Sequence, residues 1–307
     1  MDYINQPLVS VVIPTYNHAL FLERALKSVI EQTYSNWEAI VVDNHSKDNT
    51  DEVVASFLDN RIKLLKIHNH GSIAKSRNLG INNATGKWIA FLDSDDLWYK
   101  EKLALSIAAI LKNPALDACS TNELLVDSSN NVSKPLHHGP FCNNFYKTLL
   151  LEGNRLSPSA VIVKKEFLDK HQILFRENVE FITAEDFDFW LLMAEKNANF
   201  YFINSIQGEY TIHQSNASGK LEFHLNNVKN VLKNHIFHRQ LFTNDKKSLW
   251  NAVHSRLLIS ESRRYFASKR YGPAISTLFQ AAFKAPLFTT SYSIKKLIKR
   301  HDLTSGN

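Results

Sequence analysis

The chain has 307 residues, 44% hydrophobic and 21% charged, a composition that excludes a disordered protein and suffices for one large or two modest domains. Its two cysteines, Cys119 and Cys142, show neither paired spacing nor a Cys/His cluster, which excludes a disulfide framework and a structural zinc site and fits a reducing compartment. The net charge of +6 is uneven: from Ser262 to His301 there are nine Lys or Arg and no acid, and aromatic residues do not interleave with basic ones in any recognised nucleic-acid module.

The first ten residues, MDYINQPLVS, lack the basic and apolar regions of a signal peptide, and no run of about eighteen apolar residues is present, so neither export nor a membrane span is expected. Residues 8–13, LVSVVI, read as a buried strand, with a loop over 14–18. Leu22, Ala25, Leu26, Val29 and Ile30 then recur at helical spacing. Residues 37–42, WEAIVV, form a second strand stopped by the polar run 43–48; a second helix carries Val53, Val54, Phe57 and Leu58 inward, and a third strand covers 61–67. A helix over 73–84 and a fourth strand over 88–92 follow.

Strands alternating with helices of roughly ten to fifteen residues predict an α/β fold with a mainly parallel sheet and helices on both faces. In such sheets ligands bind beyond the carboxyl ends of the strands. The polar clusters at 14–17, 43–48 and 93–96 all fall at that edge.

Beyond residue 105 the alternation stops. A helix over 103–111, a polar loop over 127–138, a strand over 157–163, a helix over 185–195 and short strands over 200–203 and 209–212 are expected. From about residue 220 the chain reads as helical, with Pro273 and Pro286 marking breaks. Near the end, Ile294, Leu297 and Ile298 fall at helical spacing beside Lys295, Lys296, Lys299 and Arg300. Such a basic amphipathic helix suits either an anionic membrane surface or packing on its own domain with a solvated basic face.

The stretch FLDSDDLW, residues 91–98, places Asp93, Asp95 and Asp96 directly after an apolar strand. Like charges so close raise one another's pKa unless a cation, donors or water compensates them. An isolated Asp-Ser-Asp is ordinarily a solvated turn; two other polar clusters on the same sheet edge point instead to a ligand site.

The ordered motifs VSVVIPTYNHALFLERALKSVIEQTYSNWEAIVVDNHSKDNT, GSIAKSRNLGINNATGKWIAFLDSDDLW and AEDFDFWLLM, within about residues 8–220, resemble those of glycosyltransferase family 2, whose members have the Rossmann-like GT-A fold. The resemblance implies a catalytic domain over 1–220, with a nucleotide-binding half over about 1–105 and an acceptor-binding half over 106–220, followed by a helical, basic region over 221–307. It also implies the roles of single residues. Asp95 reaches the ribose or the metal, and Asp96 or Asp95 ligates a Mn²⁺ or Mg²⁺ ion, with Asp93 beside them at the nucleotide. Asp43 and Asn44 meet the nucleobase, Asn44 standing where many relatives carry Asp. Pro14 and Tyr16 border the nucleotide, and Arg77 reaches its phosphates. Asp186 is the catalytic base, Glu185 orients the acceptor or supports its neighbour, and Ala184 replaces a frequent Gly. His213 approaches the metal or diphosphate, with Ser218 matching a polar residue beside it.

A Gln-x-x-Arg-Trp motif, carried by polymerising relatives, is absent. The expectation is therefore metal-dependent, inverting transfer of a single sugar from a UDP-hexose or UDP-N-acetylhexosamine to a hydroxyl of a glycan or lipid-linked glycan acceptor. The implied setting is bacterial surface polysaccharide (O-antigen, capsule or lipooligosaccharide) biosynthesis, in the cytoplasm, with the basic C-terminal region touching the inner face of the membrane. The alternative is a catalytically silent sugar-nucleotide-binding scaffold of a glycan assembly complex.

Overall fold

The computed structural model describes residues 6–127, 131–213 and 221–292; the expected basic helix at 294–300 and Ser218 lie outside them. The chain divides into two compact units, one of Met1–Phe145 with Asn154–Val231, the other of Tyr146–Gly153 with Leu232–Asn307.

The first unit is built on the expected alternation: β1 (Val9–Thr15), α1 (Ala19–Ile30), β2 (Trp37–Asp43), α2 (Thr50–Ser56), β3 (Ile62–Lys66), α3 (Ile73–Asn83) and β4 (Trp88–Phe91). Then come β5 (Leu97–Trp98), α4 (Lys102–Lys112), β6 (Ala118–Asp127), β7 (Val132–Leu136), α5 (Phe145–Glu152), which falls almost wholly in the second unit, β8 (Val161–Lys164), α6 (Lys165–His171), α7 (Glu185–Glu195), β9 (Phe200–Ile212) and α8 (Leu221–Asn234), whose last turn also belongs to the second unit. The described strands join one sheet in the order β3-β2-β1-β4-β8-β6-β9-β5, with β7 paired to β6. Strands β3, β2, β1 and β4 run parallel, and β8 joins antiparallel to β4. Every residue of β1, β2 and β4 is buried, as near-continuous apolar runs require when both sheet faces are covered.

A buried acid on β2 is tied across that sheet. Glu38 on β2 accepts from Ser10 Oγ at 2.7 Å, Lys63 Nζ at 2.8 Å, Thr85 N at 2.8 Å and Thr85 Oγ1 at 2.7 Å. Gly86 follows; a Cβ there would stand 2.7 Å from the Leu8 carbonyl oxygen and the Ser10 nitrogen, so only glycine lets the chain enter β4 this close to β1. Burial opposes ionisation of Glu38, but these donors outweigh it and hold its pKa near about 2, against an ordinary 4.5. A carboxylate with a depressed folded pKa stabilises fully above its unfolded value and loses that contribution as pH falls toward the folded one. Between pH 4.5 and about 2 the wild type should therefore lose about 3 kcal/mol more stability than Glu38→Gln. Urea unfolding of both proteins across that range checks this, and parallel pH profiles would refute it.

Three local expectations change. Leu58, expected on the inner face of the second helix, lies past the end of α2 at φ +49° and is 93% exposed, since the helix stops at Ser56. The expected polar loop over 127–138 contains β7, which pairs Leu136 with Glu123 and Lys134 with Leu125. Its Pro135 is compatible with a strand because proline is tolerated on edge strands. The two short strands at 200–203 and 209–212 are one strand, β9, irregularly registered against β6 around Ser120–Leu124.

The second unit contains α9 (Lys246–Ala267), whose first turn is capped by Asp245 accepting from Ser248 N at 2.9 Å, and α10 (Tyr271–Lys284). They pack through Leu258, Ile259 and Ala281, and Ser262 Oγ donates to the Ala274 carbonyl at 2.7 Å. Among the described residues no helix is long and apolar enough to cross a membrane.

Candidate active site

The edge where β1, β2 and β4 end gathers most of the residues marked out by the sequence. After β4 the chain turns through Asp93–Asp96, closed by Asp96 N donating to the Asp93 carbonyl at 3.0 Å. This turn aims its three acids differently. Asp93 accepts from Arg77 Nη2 at 2.6 Å. Asp95 Oδ2 lies 2.7 Å from His213 Nε2, at the end of β9. Asp96 points inward and is 3% exposed, its Oδ2 accepting from Ser159 Oγ at 2.5 Å and its Oδ1 from Thr211 N at 2.9 Å. Both oxygens of Asp96 thus hold the protein together, while Asp93 and Asp95 keep side-chain exposure.

Arg77, on α3, is not an open cationic fork. It is 3% exposed, gives Nη2 to Asp93, and gives Nη1 to Glu185 Oε1 at 3.2 Å. Its guanidinium lies 5.2 Å from the ring centroid of Phe175, which stacks on Phe189 at 4.1 Å. Arg77 therefore joins the acid beyond β4 to the acid pair opening α7. Burial opposes its charge, but Asp93 and Glu185 raise its pKa above the ordinary arginine value. The guanidinium Nε and Glu185 Oε2 are buried without hydrogen-bond partners, a pair of polar atoms left for further use.

Glu185 and Asp186 sit in the first turn of α7, where carboxylates favour the helix dipole. Glu185 is buried, whereas Asp186 stays partly open and accepts from Asn154 Nδ2 at 3.0 Å. Burial raises the pKa of both, partly offset by the charge of Arg77. Burial also raises Asp95, followed by the charge of Asp93 and against the pull of His213, and raises Asp96 further through burial and the neighbouring Asp95. The site thus holds more carboxyl groups than its own cations neutralise.

A divalent cation fits this donor set: two outward carboxylates and an imidazole at one edge, with adjacent acids destabilised by mutual repulsion. Among the described residues no group of three or more His, Cys, Asp or Glu side chains encloses a metal by itself. A cation here would share its coordination with ligand oxygens and water.

Along the same edge, Asp43 is fully buried at the end of β2, accepting from Lys66 Nζ at 2.7 Å and from Ser46 N at 3.1 Å, with a further short bond from Ser46 Oγ. Asn44 Oδ1 accepts from Asn69 N at 2.8 Å, tying the loops after β2 and β3. Pro14 is buried within β1 opposite Val42 and presents no surface to a ligand, whereas Tyr16 is half exposed.

The sequence reading missed Ser159, Thr211, Asn154 and Lys102. Ser159 Oγ donates to Asp96 and accepts the Asp93 backbone N–H at 3.1 Å, so it holds two residues of the acidic turn. Lys102 is buried, donates to Thr121 Oγ1 at 2.9 Å and to the Ala160 carbonyl, and is pushed down to about 8 by burial. His18 was equally silent: its ring lies 5.5 Å from that of His213, and Phe21 stacks on His213 at 5.0 Å, so two rings near α1 fix the imidazole beside Asp95.

The model of the family described as "Glycosyl transferase family 2" matches residues 10–170, more than half of the chain. The chain belongs to glycosyl transferase family 2. It is 33% identical over 213 residues to the Escherichia coli UDP-Glc:alpha-D-GlcNAc-diphosphoundecaprenol beta-1,3-glucosyltransferase WfgD, covering 69% of this chain and 79% of that one. An uncharacterized glycosyltransferase of Rickettsia conorii is 34% identical over 196 residues, 64% of this chain, but the match spans only 31% of that longer protein. Among solved structures, S. aureus TarS 1-349 in complex with UDP-GlcNAc superposes with a TM-score of 0.63 at 20% identity, over 94% of this chain and 92% of that one, which shows a shared GT-A fold.

Proposed function

We propose that the protein transfers a single sugar from a UDP-sugar to a hydroxyl of a lipid-linked glycan in bacterial surface polysaccharide assembly, with inversion at the anomeric carbon. The observation that carries this reading is the convergence of Asp93, Asp95, Glu185 and Asp186 on one sheet edge, joined by Arg77 and flanked by His213. The UDP donor named for WfgD, the UDP-GlcNAc of the TarS complex and WfgD's undecaprenol-linked acceptor support the donor and acceptor classes.

In this reading Asp186 takes the acceptor's proton as its oxygen attacks the anomeric carbon from the face opposite the diphosphate. Asn154 orients that carboxyl, and burial raises its proton affinity toward the working pH. Arg77 keeps Glu185 and Asp93 in register, and Glu185 supports its neighbour Asp186 from a buried position. Tyr16, after β1, and Asn44, after β2 on the loop that Asp43 organises, border the nucleobase. Asp95 and His213 would hold Mn²⁺ or Mg²⁺, which when bound supplies charge neutralisation of the leaving diphosphate. The enzyme would work at the inner face of the cell membrane, meeting it through its basic C-terminal region.

Calorimetric titration with UDP, with and without Mn²⁺, tests the site. Mn²⁺-dependent binding should weaken by about tenfold or more in Asp95→Ala with little change in stability. Asp96→Ala should instead cost about 2 kcal/mol in urea unfolding, because Ser159 Oγ and Thr211 N lose their buried acceptor. Absence of UDP binding in the folded wild type would remove the UDP-sugar donor from this reading, and UDP binding without sugar transfer would favour the silent scaffold.

A further inference from the structure

In α10 the usual distribution of side chains is reversed. The residues packed inward are small, Ala274, Thr277 and Ala281, and the close approach they permit brings Ser262 Oγ to the Ala274 carbonyl at 2.7 Å. The bulky apolar residues face outward: Tyr271, Ile275, Phe279 and Phe283 recur every four residues with Leu278 beside them, all exposed. Phe279 is 72% exposed and Phe283 90%, and Leu287, in the helical stretch 286–292, is 90% exposed.

An aromatic side chain carries roughly 200 Å² of surface, so the two phenylalanines alone leave on the order of 300 Å² of apolar area in water. That matches the largest patch of a typical monomer and is contiguous along one helix face. Along the sequence of this segment the charge has one sign, although Asp245 at the start of α9 lines the same pocket as Leu287. Between Ser262 and Tyr292 there are five Lys or Arg, namely Arg263, Arg264, Lys269, Arg270 and Lys284, and no acid.

We infer that this face is a membrane-insertion surface: Tyr271, Ile275, Phe279, Phe283 and Leu287 enter the interfacial layer of an anionic bilayer while Lys269, Arg270 and Lys284 meet its headgroups. Apolar side chains backed by basic residues are what such interfaces take up, and the two attractions act together. The same charge disfavours the other occupants. A second copy would bring two basic faces together, and the segment 293–307 contributes Lys295, Lys296, Lys299 and Arg300, again basic. The inference deepens the membrane placement proposed above. It moves the anchoring from the charge of the terminal segment to the side chains of α10.

The test uses the full chain, co-sedimented with vesicles of phosphatidylethanolamine and phosphatidylglycerol and with vesicles of phosphatidylcholine. Binding should favour the anionic vesicles, persist in part at high salt, and weaken by about tenfold or more in the double variant Phe279→Ser, Phe283→Ser. In Phe283→Trp, tryptophan emission should shift to the blue as anionic vesicles are added. No binding, or equal binding by the double variant, overturns the proposal, as does a wild-type dimer that the double variant dissociates. UDP titration of the same preparations reports the transferase reading separately, so loss of one leaves the other standing.

Discussion

Replacing Asp186 with asparagine is expected to lower kcat by about a thousandfold while leaving the UDP affinity within about twofold. A positioned general base contributes typically 10²–10⁴-fold, and Asn keeps the shape and the contact with Asn154 while removing the proton acceptor. The pH profile adds a second signature. Burial raises the folded pKa of Asp186, so the rise of kcat with pH should be centred above the ordinary aspartate range of about 4. Below that pKa the carboxyl is protonated and cannot accept; above it activity levels off. The variant should show low activity with this limb absent. Equal turnover in the two proteins would remove Asp186 from the chemistry.

The other large effect is expected at Arg77. Arg77→Ala should lower unfolding stability by about 3–5 kcal/mol, because it leaves Glu185 and Asp93 with no guanidinium between them. Arg77→Lys should recover only part of this, since a point charge cannot give separate nitrogens to two carboxylates on opposite sides. Urea denaturation measures both. A loss under about 1 kcal/mol for the alanine variant would mean that the acids relax into solvent and that the bridge has no structural weight.

The first hundred residues were the most legible, and the helices expected over 103–111 and 185–195 are present as well. Runs such as WEAIVV can be satisfied only where both faces are covered, so a local pattern carried a global consequence in β2. The acids of FLDSDDLW stood out because three like charges after an apolar strand require compensation. Their division of labour was not legible: that Asp96 turns inward depends on Ser159 and Thr211, 63 and 115 residues away in sequence. Arg77 likewise reads as an ordinary helix cation until α7, 108 residues later, brings Glu185 to it. β7 stayed hidden for a different reason, since a run containing Ser and Pro has no alternation of its own and takes its strand conformation from β6. The outward face of α10 was missed because helical periodicity identifies an apolar stripe without saying whether it is covered.

The short antiparallel pairing of β5 with β9 works as a ruler. Leu97 pairs with Glu209 and Trp98 with Gly208, where a Cβ would stand 2.8 Å from the Leu97 carbonyl oxygen, so the two strands are locked at close range. Asp95 lies two residues before one end of this pair and His213 four residues beyond its counterpart, which sets their 2.7 Å meeting by counting residues along two backbones. A one-residue insertion between Gly208 and His213 would send the imidazole to the opposite face of the sheet. Length between these positions is therefore the quantity under constraint, and substitutions should be accepted there far more readily than insertions or deletions.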